Sequence, residues 1–165
     1  MSIGRTAVDR RYRHILVPLD GSKLGELALP HAFDLARLTQ GDVTLLHILS
    51  TVAGIIAAST PYPIFVDEQE EVLKGRALQH LRSICEQLPC DIIAVHPVVE
   101  VGPPAETIID YVSEHHFDLI VMSSHGHSGL RQWVFGCVAD KVLRGAGVHV
   151  LLVRAQPQPE IDDSQ

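Results

Sequence analysis

The sequence is short of cysteine, of long apolar runs and of positive charge, and each shortage removes a class of protein. Three cysteines, Cys85, Cys90 and Cys137, are too few for a disulfide scaffold and lack zinc-type spacing, so the cytosol is the simpler home. Apolar stretches such as Val148 to Val153 and Gly54 to Ala58 fall far below the roughly 20 residues that cross a bilayer, so no membrane span is expected. Arg5, Arg10, Arg11 and Arg13 have no long apolar stretch behind them, and no secretory signal is expected. With 20 acidic against 13 basic side chains, the chain is not built to coat nucleic acid, whose phosphates attract basic surfaces. No internal repeat is found.

What remains is a chain of 165 residues, 46% hydrophobic and 20% charged, enough for one domain with a substantial core. Residues 1–13 read as a polar arm and residues 156–165, rich in acids, as a solvated tail. The domain is expected over 14–155.

Within it, short β-branched runs alternate with helical periodicity. His14 to Pro18 is a strand stopped by Asp20-Gly21-Ser22, and Ser22 is placed to cap a helix whose apolar positions run from Leu24 to Leu38. Pro30 inside that pattern should kink it or remove one backbone bond. Val43 to Leu49 is a second strand. Residues 50–63 lack a clean period and read as a long connection, before helical spacing returns from about Val66 to Leu88. Asp91 to Val101 is a third strand, in which Pro97 weighs against its lying unbroken inside a sheet. Gly102-Pro103-Pro104 starts a helix through Ile108, Ile109 and Val112. Leu119 to Met122 and Val148 to Val153 are strands four and five. Uniformly apolar strands alternating with helices favour an α/β domain: an open, doubly wound parallel sheet covered on both faces.

Between strands four and five lies the segment with chemical promise. Gly126 and Gly129 follow a buried strand, and Gly136 precedes a helix expected over Cys137 to Arg144. Glycine lets backbone approach a ligand, and the free amides of a helix start attract an anion. Ligands of such sheets sit beyond the carboxyl ends of the strands, where the winding reverses. If strands one and four are neighbours, the Asp20 turn faces this segment, with phosphates against Gly126, Gly129, Gly136 and the amides that follow. The alternative is that these glycines only make turns.

Ile15-Leu-Val-Pro-Leu-Asp-Gly-Ser22, Leu45-Leu-His-Ile48, Gly102-Pro-Pro-Ala105 and Asp118-Leu-Ile-Val-Met-Ser-Ser-His-Gly126 onward to Val153 together resemble the universal stress protein family, in order and over nearly all of His14 to Arg154. The resemblance implies a five-stranded sheet of order 3-2-1-4-5 with the Rossmann-like, adenine nucleotide alpha hydrolase-like fold. It also implies a homodimer through the fifth strand. The nucleotide-binding branch of the family carries Gly, two residues, Gly, nine residues, Gly, then Ser or Thr; here the matching positions are Ser123, Gly126, Gly136 and Cys137. By resemblance, adenine lies near Pro18, Leu19, Asp20, Ile48 and Met122, the ribose near the backbone of Ser123, and the phosphates at Gly126, Gly136, Cys137 and Val138. His125 shapes the loop. The ligand implied is ATP or AMP, with any Mg²⁺ held by the phosphates, in a stress-response sensor or switch. Family members outside that branch keep the fold without the ligand, which leaves a dimeric interaction module as the alternative and a weak ATPase as a third.

Other side chains have plainer readings. Ten histidines, among them His125 with His127 and the pair His115-His116, offer no third convergent ligand, so no protein-held metal is assigned. Asp20, Asp118 and Asp140 lack a recognisable nucleophile and base, and Asp118 reads as the polar start of strand four. Cys137 is either a small residue in a serine's place or a redox-responsive thiol. Trp133 is a lid, a partner surface or, by default, core.

Overall fold

The computed structural model describes residues 12–50, 66–87, 93–124 and 136–154, the side chains of 66–69 excepted. Most of the expected arm, the long connection, the acidic tail and Trp133 lie outside these residues. The elements run β1 (His14–Leu19), α1 (Lys23–Glu26), α2 (Ala28–Thr39), β2 (Asp42–Leu49), α3 (Val66–Gln87), β3 (Val95–Val101), α4 (Pro104–Glu114), β4 (Leu119–Ser123), α5 (Cys137–Gly145) and β5 (His149–Val153). All five strands are parallel, in the order β3-β2-β1-β4-β5 expected from the resemblance.

The sheet is buried on both faces because its strands alternate between two apolar clusters. Ile15, Val17 and Leu19 of β1 point toward Ala28, Leu29, Ala32, Phe33 and Ala36 of α2 and Leu81 and Ile84 of α3. Leu16, Leu46, Ile120 and Met122 point the other way, toward Ala105, Ile108 and Val112 of α4 and Ala139 and Val142 of α5. This two-sided cover is what the continuous apolar strands required.

Two local departures have simple causes. The first expected helix is broken at Leu27 and not at Pro30, which sits in the opening turn of α2. There its missing N–H costs little, since the first turn of a helix has no intrahelical acceptors to serve. Pro97 is accommodated inside β3, opposite Leu45, because β3 is an edge strand and one of its sides has no ladder to feed.

The amino ends of β1 and β4 are tied by Asp118. Its Oδ2 accepts the backbone N–H groups of Arg13 at 2.9 Å and His14 at 3.0 Å, while its own N–H donates to the His14 carbonyl at 2.9 Å. Removing the carboxylate leaves two amides without their acceptor. Asp118→Ala is expected to cost about 1–2 kcal/mol and Asp118→Asn, which keeps one oxygen, less than half of that. Urea unfolding checks both, and equal losses for the two variants would contradict the clamp.

Candidate functional site

The winding reverses between β1 and β4, and there the sheet is least zipped. The β1–β2 ladder covers six residue pairs, His14↔Asp42 to Leu19↔His47, whereas the β1–β4 ladder is confined to Ile15↔Leu119 and Leu16↔Ile120. Pro18, with no N–H to offer, lies beyond that short ladder. The carboxyl ends of β1 and β4 therefore flank the switch point, the place where open α/β sheets receive ligands.

One wall is the turn after β1. Gly21 has φ +79°, a left-handed conformation that a side chain would strain. Asp20 accepts hydrogen bonds at Oδ1 from the Ser22 N–H, at 3.0 Å, and from the Ser22 hydroxyl. The Ser22 Oγ accepts in turn from the Gly25 N–H at 3.0 Å, capping α1 as its sequence position predicted. Gly25 is needed here: a Cβ would lie 2.7 Å from Asp20 Oδ1.

The opposite wall is the end of β4 and the start of α5. Ser124 is 1% exposed; its N–H donates to the Val153 carbonyl at 2.9 Å and its carbonyl accepts from the Gly136 N–H at 3.0 Å. This hydrogen bond joins the residue after β4 to the one before α5 and sets the first turn of α5 against the carboxyl end of β4. Gly136 caps α5 with no side-chain bond, and the Asp140 N–H is the first to reach back to it, at 3.0 Å. The amides of Cys137, Val138 and Ala139 precede the helical ladder and are the natural donors for an anion. The acid in that first turn is neutralised, because Asp140 accepts from Arg144 Nε at 3.0 and 3.1 Å. Lys141 is held by Glu106 of α4 at 2.9 Å, a pairing that raises the lysine's pKa and lowers the carboxyl's.

The structure thus places Pro18, Leu19 and Asp20 at the end of β1, Ile48 near the end of β2, Met122 and Ser123 at the end of β4, and Gly136, Cys137 and Val138 at the head of α5. They are not equivalent. Leu19 is 5% exposed with its side chain in the core, so backbone is what it can offer a ligand, whereas Cys137 is exposed. Met122 is buried, with Ile48 and Val138 packed at the border of the same cluster. His125, Gly126 and Gly129 lie outside the described residues, as do His127 and Cys90. Among the described residues no three potential ligands converge on a metal, and no helix is long and apolar enough to cross a membrane.

One residue of this region stands within a family-like stretch but is given no role by the sequence. His47 lies within the apolar run of β2; the register sets it beside Leu19, whose carbonyl it contacts through Nδ1 at 3.0 Å. A carbonyl only accepts, so Nδ1 carries the proton. Burial pushes the His47 pKa below its ordinary value of 6.5, helped by nearby His80, against the Leu19 bond and Asp20, which pull it up. The folded protein therefore resists a proton that the unfolded chain accepts. Stability from this group is full above pH 6.5 and is lost as pH falls from there toward the lowered folded value. His47→Asn should flatten the fall in urea midpoint between pH 7 and 5; an unchanged slope would remove His47 from the acid response.

The match to a family model, "Universal stress protein family", spans residues 11–154. Universal stress protein MJ0577 of Methanocaldococcus jannaschii is 27% identical over 154 residues, covering 87% of this chain and 95% of that protein. Universal stress protein YxiE of Bacillus subtilis is 29% identical over 150 residues, 87% and 99% of the two chains. The solved structure of MJ0577 superposes with a TM-score of 0.78 over 90% of this chain and 99% of its own. More distant universal stress proteins share the fold, one in complex with cAMP (TM-score 0.58, 19% identical, 88% and 99% covered) and one from Arabidopsis thaliana with AMP bound (0.59, 15%, 91% and 96%). With the sheet order, the two-sided core and a family match over nearly the whole described domain, the chain belongs to the universal stress protein family.

Proposed function

We propose that this protein binds an adenine nucleotide, ATP or AMP, in the crevice between β1 and β4, and acts as a stress-response sensor or switch. The observation that carries the reading is the Ser124–Gly136 hydrogen bond, which sets the head of α5, free of any side-chain cap, beside the end of β4. In that arrangement the α5 amides take phosphate, the Ser123 backbone borders the ribose, and Pro18, Asp20, Ile48 and Met122 surround the base. Mg²⁺, where present, rides on the phosphates. AMP in one fold neighbour and cAMP in another support the ligand class.

Binding in the micromolar range corresponds to about −8 kcal/mol. Calorimetry on the purified protein tests it, together with chromatography of whatever the denatured protein releases. Heat on titration with ATP or AMP, or co-purified nucleotide, supports the reading; silence at millimolar nucleotide sinks it. Phosphate release above the buffer rate would add a weak ATPase.

A second reading is a dimeric interaction module in the cytoplasm that has given up nucleotide. It is favoured by Ser123 and Cys137, which depart from the family's Gly and Ser/Thr. The edge strand β5 leaves Leu151 38% exposed, which suits pairing with a second copy. The homodimer is compatible with either reading.

A further inference from the structure

We propose that His47 is a positioning residue for this site, holding the Asp20 turn from behind so that its carboxylate faces the crevice; this rests on the nucleotide reading above. The Asp20 turn has to be rigid to contribute to a ligand, yet it lies just past the end of β1, where ladder hydrogen bonds run out. Ahead of Asp20 the Ser22 cap fixes it to α1. Behind it, the last residue of β1 is held by a side chain: His47 Nδ1–H donates to the Leu19 carbonyl at 3.0 Å.

The ring also lies close to the turn: a Cβ added at Gly21, its one left-handed residue, would meet His47 Cε1 at 3.9 Å. An aliphatic residue at 47 would suit a buried strand equally well but would leave the Leu19 carbonyl without its side-chain donor. Asparagine keeps an N–H donor at the δ position of the side chain. Glutamine moves that donor one bond further out.

The test compares wild type, His47→Asn, His47→Gln and His47→Leu by ATP calorimetry, amide hydrogen exchange and ¹⁵N spectra of the ring. The wild-type ring should be the Nδ1–H tautomer. In His47→Leu the Ser22 amide should exchange at least about tenfold faster, and ATP should bind about three- to tenfold more weakly, with the urea transition still cooperative. His47→Asn should recover most of both losses and His47→Gln little of either. Equal ATP affinity in all four proteins would overturn the role of His47 while leaving nucleotide binding intact, and so would an Nε2–H tautomer. A wild type silent to ATP would overturn the nucleotide reading itself, and this role with it. Should His47→Leu fail to fold, the contrast between His47→Asn and His47→Gln decides.

Discussion

Gly41→Ala is expected to lower the unfolding free energy by about 2–3 kcal/mol, while the same substitution at Gly75 raises it by about 0.5–1 kcal/mol. A Cβ at Gly41 would lie 2.6 Å from the Arg13 carbonyl oxygen and 2.7 Å from that of Tyr12. These are main-chain atoms and cannot swing aside. The Arg13 carbonyl accepts the Asp42 N–H at 2.8 Å and the Tyr12 carbonyl accepts the Thr39 hydroxyl at 2.6 Å. Gly41 is pinned too, its N–H reaching back to the Ala36 carbonyl at 3.0 Å in the turn that ends α2. Relief requires the start of β2 to move away from the segment leading into β1, against several bonds at once. At Gly75, inside α3, an added methyl would meet nothing within 4 Å beyond its own helix, so alanine there gains helix propensity with no clash. Urea unfolding with an unchanged m-value reads both. A Gly41→Ala midpoint equal to wild type would mean that the approach of these two segments is loose.

The strands are legible in the sequence because a buried parallel strand advertises itself as an apolar β-branched run, and four of the five match their expected limits within a residue. The third starts at Val95 and not at Asp91, and residues 88–92 lie outside the described ones. The helix break falls at Leu27 and not at Pro30, because a proline inside an apolar period gives no sign of how near the helix start it lies. Strand order rests on family resemblance, since periodicity says nothing about which strands are neighbours. The Ser22 cap is legible as a local pattern, whereas the steric demand at Gly25 is not, since it depends on where the Asp20 carboxylate turns. His47 is hidden for the same kind of reason. Its partner, Leu19, is 28 residues away and is reached only through the parallel register. At Ser123 and Cys137, where the glycine pattern is imperfect, the structure puts the former in a buried strand end and the latter, exposed, at the head of α5.

That exposed position yields the sharpest separation of ligand binding from folding. Cys137→Asp is expected to weaken ATP binding at least about tenfold while leaving the protein as stable as wild type or slightly more so. The two effects have opposite signs because one helix end is involved in both. An acid in the first turn of a helix is favoured by the dipole, by about 0.3–1 kcal/mol. A phosphate at the same amides meets the new carboxylate as a like charge. Two unit charges about 4 Å apart repel by about 4 kcal/mol at an effective dielectric constant of 20, and solvent at this exposed site together with salt reduces that to roughly half. What survives still exceeds the about 1.4 kcal/mol that makes a factor of ten. Asp140, the acid already in that turn, is a smaller obstacle because it is paired with Arg144. Cys137→Ser, which supplies the family's hydroxyl, is expected to tighten ATP about two- to tenfold through one added hydrogen bond. Adenosine, lacking phosphate, should bind all three proteins alike, which confines the effect to the α5 end of the crevice. Calorimetry with ATP and adenosine in parallel with thermal unfolding measures every arm. If Cys137→Asp takes ATP within twofold of wild type, the phosphates do not lie at α5; if it loses adenosine as well, the substitution has disturbed the crevice and not the charge at its mouth.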